Sequence, residues 1–229
     1  MADPRPSLIG PTFGCVSLKS RVSKLFGPLL QGKHDRLAIA VSGGVDSMAL
    51  TWLAKAWQGE SGCHLTALTV DHGLRSGSDQ EARLVASWMA DWGLPHHILR
   101  WDGEKPVAGI QDAARQARYK LLTDWCWMNN ADALLVAHTR EDQAETFLLR
   151  LLRGSGADGL AGMRAATMVN GLPLLRPLLG LAKRELKDEL RDVGQDWIED
   201  PSNQDDRFTR VRVRRWSSTL SGLGLDADR

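Results

Sequence analysis

The segment Leu37-Ala38-Ile39-Ala40-Val41 is apolar at every position. An unbroken run of that length predicts a strand buried on both faces. A glycine turn follows it, then a helical stretch from Met48 to Trp57. The same alternation continues down the chain. Strands are predicted at His64 to Val70, at the short run His97-Ile98-Leu99 and at Ala133 to Ala137. Helices are predicted over Asp79 to Trp92, Gln111 to Met128 and Glu141 to Leu152, with a short one between Val16 and Leu30 ahead of the first strand. Strands separated by helices imply an α/β fold, a mostly parallel sheet covered by helices on both faces. Ligands of such sheets bind beyond the carboxyl ends of the strands. After Gly154 the pattern changes. A short hairpin is expected around Asn170-Gly171, an amphipathic surface helix over Leu181 to Val193, and a turn at Asp200-Pro201-Ser202-Asn203. The organisation expected is a flexible segment 1–15, a single domain 16–216 whose part 154–216 is helical and irregular, and a tail 217–229.

Composition narrows the function classes. The 229 residues suffice for one well-buried domain. Apolar and charged contents of 43% and 25% are ordinary for a globular protein. A formal net charge of +1 means that any nucleic-acid surface must be a local patch. Cys15, Cys63 and Cys126 form neither a metal knuckle nor a Cys-x-x-Cys pair, so a reducing compartment and inert buried thiols are expected. The N-terminus lacks the apolar core of a signal peptide, and no stretch reaches the roughly 18 apolar residues of a membrane span. A cytoplasmic protein without a membrane partner is the expectation.

Three constellations carry candidate chemistry. The first is Ser42-Gly43-Gly44-Val45-Asp46-Ser47, between a buried strand and a helix. Glycines permit unusual backbone angles and close ligand approach, and a helix start offers free N–H groups to an anion. Ser42 and Ser47 add hydroxyls. Asp46 would repel phosphate, and it makes sense if it holds a magnesium ion bridging phosphate oxygens. A plain strand–helix turn with a capping side chain is the structural alternative. The loop is not a Walker A motif, because the Gly-Lys-Ser/Thr ending is missing.

The second constellation, Asp71-His72-Gly73-Leu74-Arg75, ends the second strand, where a simple glycine turn serves equally well on local chemistry. The third begins at the end of the fourth strand: Ala137-His138-Thr139-Arg140-Glu141-Asp142-Gln143-Ala144-Glu145-Thr146. Asp142 and Glu145 are three apart at a helix start and so share a face. Capping and the helix dipole alone could explain them. The functional alternative brings His138, Asp142 and Glu145 onto the glycine loop.

The S-G-G-x-D-S loop resembles that of the PP-loop ATP pyrophosphatases, Rossmann-like enzymes that cleave ATP between its α and β phosphates after adenylating a substrate. Within them, Asp71 to Arg75 and the A-H-x-x-x-D-Q-A-E-T run resemble the tRNA(Ile)-lysidine synthases, with Glu141 where Asp is commoner. Asp112-Ala113-Ala114-Arg115-Gln116-Ala117-Arg118-Tyr119, Gly159-Leu160-Ala161-Gly162-Met163, Arg176-Pro177-Leu178-Leu179 and Trp197-Ile198-Glu199-Asp200-Pro201-Ser202-Asn203 are similar to segments of that family too. So is Phe208 to Arg214, with Val211 replacing the usual Asn. The resemblance implies ATP binding by Ser42, Gly43, Gly44, Val45, Asp46, Ser47, Asp71 and His72, and catalysis by Asp46, His138, Asp142 and Glu145. It implies magnesium on Asp46 and Asp142, and as substrates free L-lysine and the wobble cytidine of the tRNA(Ile) anticodon loop. Many of that family continue into tRNA-gripping C-terminal domains. The expectation for this chain is a minimal form, for which a homodimer is one way to supply the missing grip. The strip Arg207, Arg210, Arg212, Arg214 and Arg215 carries no acidic residue and is a candidate for tRNA phosphates, with a solvated basic surface as the alternative. Three rivals follow from the motif alone. A tRNA 2-thiolase usually carries Cys-x-x-Cys pairs, absent here; the others are a small-molecule synthetase of the NAD or GMP type and a nucleotide-binding protein without catalysis.

Overall fold

A computed structural model describes residues 18–30, 34–106, 108–199 and 213. A 3-10 turn, Leu18–Arg21, leads into α1 (Val22–Phe26), and the first strand, β1 (Arg36–Ala40), follows. Then come α2 (Val45–Ser61), β2 (His64–Asp71), α3 (Ser78–Asp91), β3 (His96–Arg100), α4 (Ile110–Met128), β4 (Ala133–Leu135) and α5 (Arg140–Leu152). A short α6 (Ala157–Leu160), the pair β5 (Ala166–Val169) and β6 (Leu172–Leu175), and α7 (Lys183–Asp192) complete the order. Every strand and helix predicted up to Leu152 is present. The α/β fold with a mostly parallel sheet is borne out.

Six strands lie in the order β3-β2-β1-β4-β6-β5. All neighbours are parallel except β5 and β6. The chain builds outward from β1 to β3, then returns to the other side of β1 with β4. This reversal opens a crevice between the carboxyl ends of β1 and β4.

Alternation along β1 explains how both faces are covered. Leu37, Ile39 and Val41 face one core with Phe26 of α1, Met48, Leu50 and Leu53 of α2, Val85 and Met89 of α3, and Leu186 and Leu190 of α7. Ala38 and Ala40 face the other, with Leu122 and Cys126 of α4. Small residues on that side let α4 lie close to the sheet. The helix α2 stops where Gly62, at φ +74°, donates its N–H to Gln58 O, a left-handed C-terminal cap.

The hairpin expected at Asn170-Gly171 forms, with both residues at positive φ, 50° and 77°. That is the turn chemistry Asn-Gly favours between antiparallel strands. Its placement was not legible locally: β6 adds to β4 as a parallel neighbour, Leu134 against Leu174, and extends the sheet. Among the described residues no helix is long and apolar enough to cross a membrane.

Candidate active site at the strand reversal

The loop after β1 turns on Gly43, whose φ of +84° suits only glycine. A Cβ there would lie 2.6 Å from Ile198 Cδ1 and 2.8 Å from Val85 Cγ2. Gly43 is thus required by the protein's own packing, and its carbonyl accepts the Ile198 N–H at 2.9 Å. Gly44 differs. At φ −71° it caps α2, and a Cβ there would meet only ordinary contacts, the nearest 3.7 Å away. Its bareness serves whatever approaches the first turn of α2, whose leading N–H groups have no partner within the helix. The Ser47 hydroxyl donates to Gly44 O at 2.9 Å and accepts from Ser42 N at 3.1 Å, so it clips the loop shut from inside.

Asp46 stands in the first turn of α2. One carboxylate oxygen pairs with Lys183 Nζ at 3.0 Å, and the other is buried without a partner. Burial raises its pKa, Lys183 offsets part of that rise, and the negative charges of Asp142 and Glu141 add to it. Carboxylates from the ends of β1 and β4 therefore share one field. Glu141 sets both oxygens, at 3.0 and 3.1 Å, on the Lys183 backbone N–H and so fastens the start of α7 to that of α5. Lys183 was not singled out from sequence. It sits in a charged amphipathic helix, and only the fold carries it to Asp46.

Asp142 accepts Thr139 N and Thr139 Oγ1 on one oxygen, at 2.8 and 2.9 Å. The capping alternative is thus correct for that oxygen, while the same carboxylate acts on Asp46 and His138. Glu145 is buried one turn later, at 3% exposure. The neighbouring Gln143 holds Met163 by both its amide atoms, donating to Met163 O at 2.8 Å and accepting Met163 N.

Asp71 is occupied locally, accepting Gly73 N at 2.9 Å and Ser78 Oγ at 2.8 Å. Burial acts to raise its pKa, but these bonds together with Arg100 and His72 hold it below the usual range. It shapes the turn that presents His72. His72 stands edge-on to Trp101 at 5.9 Å, its Nδ1 buried without a partner. Burial lowers its pKa, and Arg118 lowers it further. His138 behaves alike: burial, countered by Asp142 and reinforced by Arg176, Arg118 and Arg115, brings its pKa to about 4, and its Nδ1 has no partner. Both imidazoles are neutral at pH 7, and Arg118 of α4 acts on both.

A histidine with a lowered folded pKa stabilises fully above its unfolded value, about 6.5. That contribution is lost as pH falls through 6.5 towards 4. His138→Gln should therefore flatten the acid-side decline of Tm between pH 6.5 and 4. An unchanged decline in the variant would show that His138 is not held neutral.

The described structure sets Asp46 and Asp142 in one field, with His138 acted on by the same Asp142, while Asp71 and His72 stand at the end of β2 and Glu145 is buried in α5. The arginines at 207, 210, 212, 214 and 215 lie outside the described residues. Of the Trp197 to Asn203 segment, Trp197 to Glu199 are described, and Ile198 roofs Gly43. Cys63 and Cys126 are free and buried, and burial pushes the Cys126 thiol up to about 12.

The chain is 48% identical over 209 residues to a tRNA(Ile)-lysidine synthase of Bradyrhizobium sp., covering 90% of this chain and 58% of that protein. It is 48% identical over 194 residues to the tRNA(Ile)-lysidine synthase of Ruegeria pomeroyi, covering 85% and 46%. The chain thus spans about half the length of the curated relatives it matches. In fold it is similar to the U34-tRNA thiolase of Methanococcus maripaludis with its 4Fe-4S cluster, at a TM-score of 0.75, 17% identity and coverage of 89% of this chain and 72% of that one. A family profile described as the PP-loop domain matches residues 16–217, nearly the whole chain, and the chain belongs to that family.

Proposed function

We propose that the chain carries the catalytic domain of a lysidine-forming ligase, which joins free L-lysine to the wobble cytidine of tRNA(Ile) at the expense of ATP. The observation that carries this reading is 48% identity to a named tRNA(Ile)-lysidine synthase over 90% of the chain.

In the first step the cytosine 2-oxygen attacks the α-phosphorus of ATP. The bond to the β-phosphate oxygen breaks, and pyrophosphate leaves. The bare Gly44 and the open N–H groups of α2 receive the phosphates. In the second step the ε-amine of lysine attacks C2, loses a proton and expels AMP, which carries the former 2-oxygen. That proton passes to solvent, and His138, neutral at pH 7, can accept a hydrogen bond from the attacking amine. A cytidine in an anticodon loop is unstacked at small cost, so it can reach a crevice of this kind.

The donor set suits magnesium. Asp46 offers a buried oxygen without a partner, and Asp142 one oxygen outside its cap. Among the described residues no group of three or more His, Cys, Asp or Glu could hold a metal unaided. Magnesium commonly takes one or two carboxylates and completes its shell with phosphate oxygens and water. When bound it would neutralise charge developing on pyrophosphate.

Steady-state AMP release tests the reading against its rivals. It should require both tRNA(Ile) and lysine. Release supported by a sulfur donor in place of lysine, or without any RNA, would overturn it.

A further inference from the structure

A second polar recess lies beyond β6. Arg176, the first residue after that strand, is 9% exposed and so more than nine-tenths buried. Its Nη1 donates to Arg164 O at 2.8 Å and to Thr167 Oγ1 at 3.0 Å. Its Nε is buried and has no acceptor. A buried guanidinium with an unmet N–H is costly unless a ligand satisfies it.

Arg150 of α5 and Arg164 join Arg176 in lining a cavity of about 440 Å³. Ala161, Gly162, Met163 and Thr167 form the rest of the wall, which contains no acidic residue. None of the three arginines forms an ion pair with a described residue. Gln143 fixes that wall from α5 and lies close over Gly162, where a Cβ would come within 2.6 Å of Gln143 Oε1. Gln143 follows Asp142 directly in α5 and is hydrogen-bonded to Met163 of the wall, so the recess adjoins the proposed active site.

We propose that this recess binds a phosphodiester of the substrate RNA, next to the base presented to His138. The inference rests on the RNA-modifying reading above. An RNA phosphate suits the chemistry better than the other anions in the reaction. The α-carboxylate of lysine brings an α-ammonium with it, and three arginines without an acid repel that group. The phosphates of ATP belong at the loop after β1, and β4 stands between β1 and β6. Arginine's planar fork suits a phosphate approached from one side.

The test uses the full chain saturated with a non-hydrolysable ATP analogue. Affinity for a labelled anticodon stem-loop RNA is read across a salt series for the parent, Arg164→Glu and Arg176→Lys. ATP and L-lysine affinities are measured in parallel. Arg164 is exposed, so reversing its charge spares the core. Arg164→Glu should weaken RNA binding about tenfold, as for one lost charged hydrogen bond. It should also flatten the log–log salt slope by about 0.7, the value for one single-strand phosphate contact. Arg176→Lys keeps the charge and loses the fork, so it should weaken binding while leaving the slope near the parent's. ATP affinity should not change in either. Parental RNA affinity and slope in Arg164→Glu would overturn the recess and leave the proposed reaction standing. Loss of lysine affinity with RNA binding intact would also overturn it, assigning the recess to the amino-acid carboxylate. A parent that binds ATP but no RNA would overturn both the recess and the reaction.

Discussion

Asp46→Asn should lower the rate of RNA adenylation by about a hundred- to a thousandfold, the scale on which a single group aimed at developing charge acts. The substitution keeps the side-chain shape. The amide oxygen can still accept a hydrogen bond from Lys183 Nζ, now 3.0 Å from the carboxylate, so the start of α7 stays attached. What disappears is the negative charge that Asp46 contributes to the field it shares with Asp142 and Glu141. The effect therefore belongs to the chemical step. Pyrophosphate release in a single turnover, with RNA present and magnesium saturating, measures it, and thermal unfolding of the same sample checks the fold. Parental rates in the variant would remove Asp46 from the reaction.

The second large effect separates two adjacent glycines. Gly43→Ala should destabilise the protein by about 2–5 kcal/mol. Part of this is the strain of a left-handed backbone with a Cβ, about 1–2 kcal/mol. The rest is the displacement of Ile198 and Val85, on the scale of overpacking, about 1–3 kcal/mol. Gly44→Ala should cost less than about 1 kcal/mol, since its Cβ meets only ordinary contacts. It should instead weaken ATP binding about tenfold, the equivalent of one hydrogen bond lost as the phosphates are pushed away. Denaturant unfolding and ATP titration on both variants give the comparison. Equal stability losses would mean that the loop does not divide the two tasks in this way.

These two glycines also show how far the sequence could be read. The loop was legible because its signal is local: an apolar strand, two glycines, a carboxylate and a helix start lie within a dozen residues. The strand reversal was legible only as a class of fold. Nothing near Leu174 announces that β6 will pair with β4, because parallel pairing depends on partners far along the chain. Lys183 was invisible for the same reason. Its helix has the pattern of a solvated surface, and its ammonium gains meaning only when α7 packs on α2. Ile198 lay in a segment singled out for its resemblance, but its task of roofing Gly43 appears only in three dimensions. Asp142 was weighed as either cap or site residue, and in the structure one of its oxygens makes the cap while its carboxylate charge also acts on Asp46.

Lysine incorporation tests the proposed reaction most directly. The chain is incubated with ATP, magnesium, isotopically labelled L-lysine and tRNA(Ile), and the RNA is digested to nucleosides. The expected result is label in a single modified cytidine from the anticodon, formed in step with AMP and absent when ATP is withheld. Unlabelled RNA, with parental ATP binding and intact fold, would contradict it.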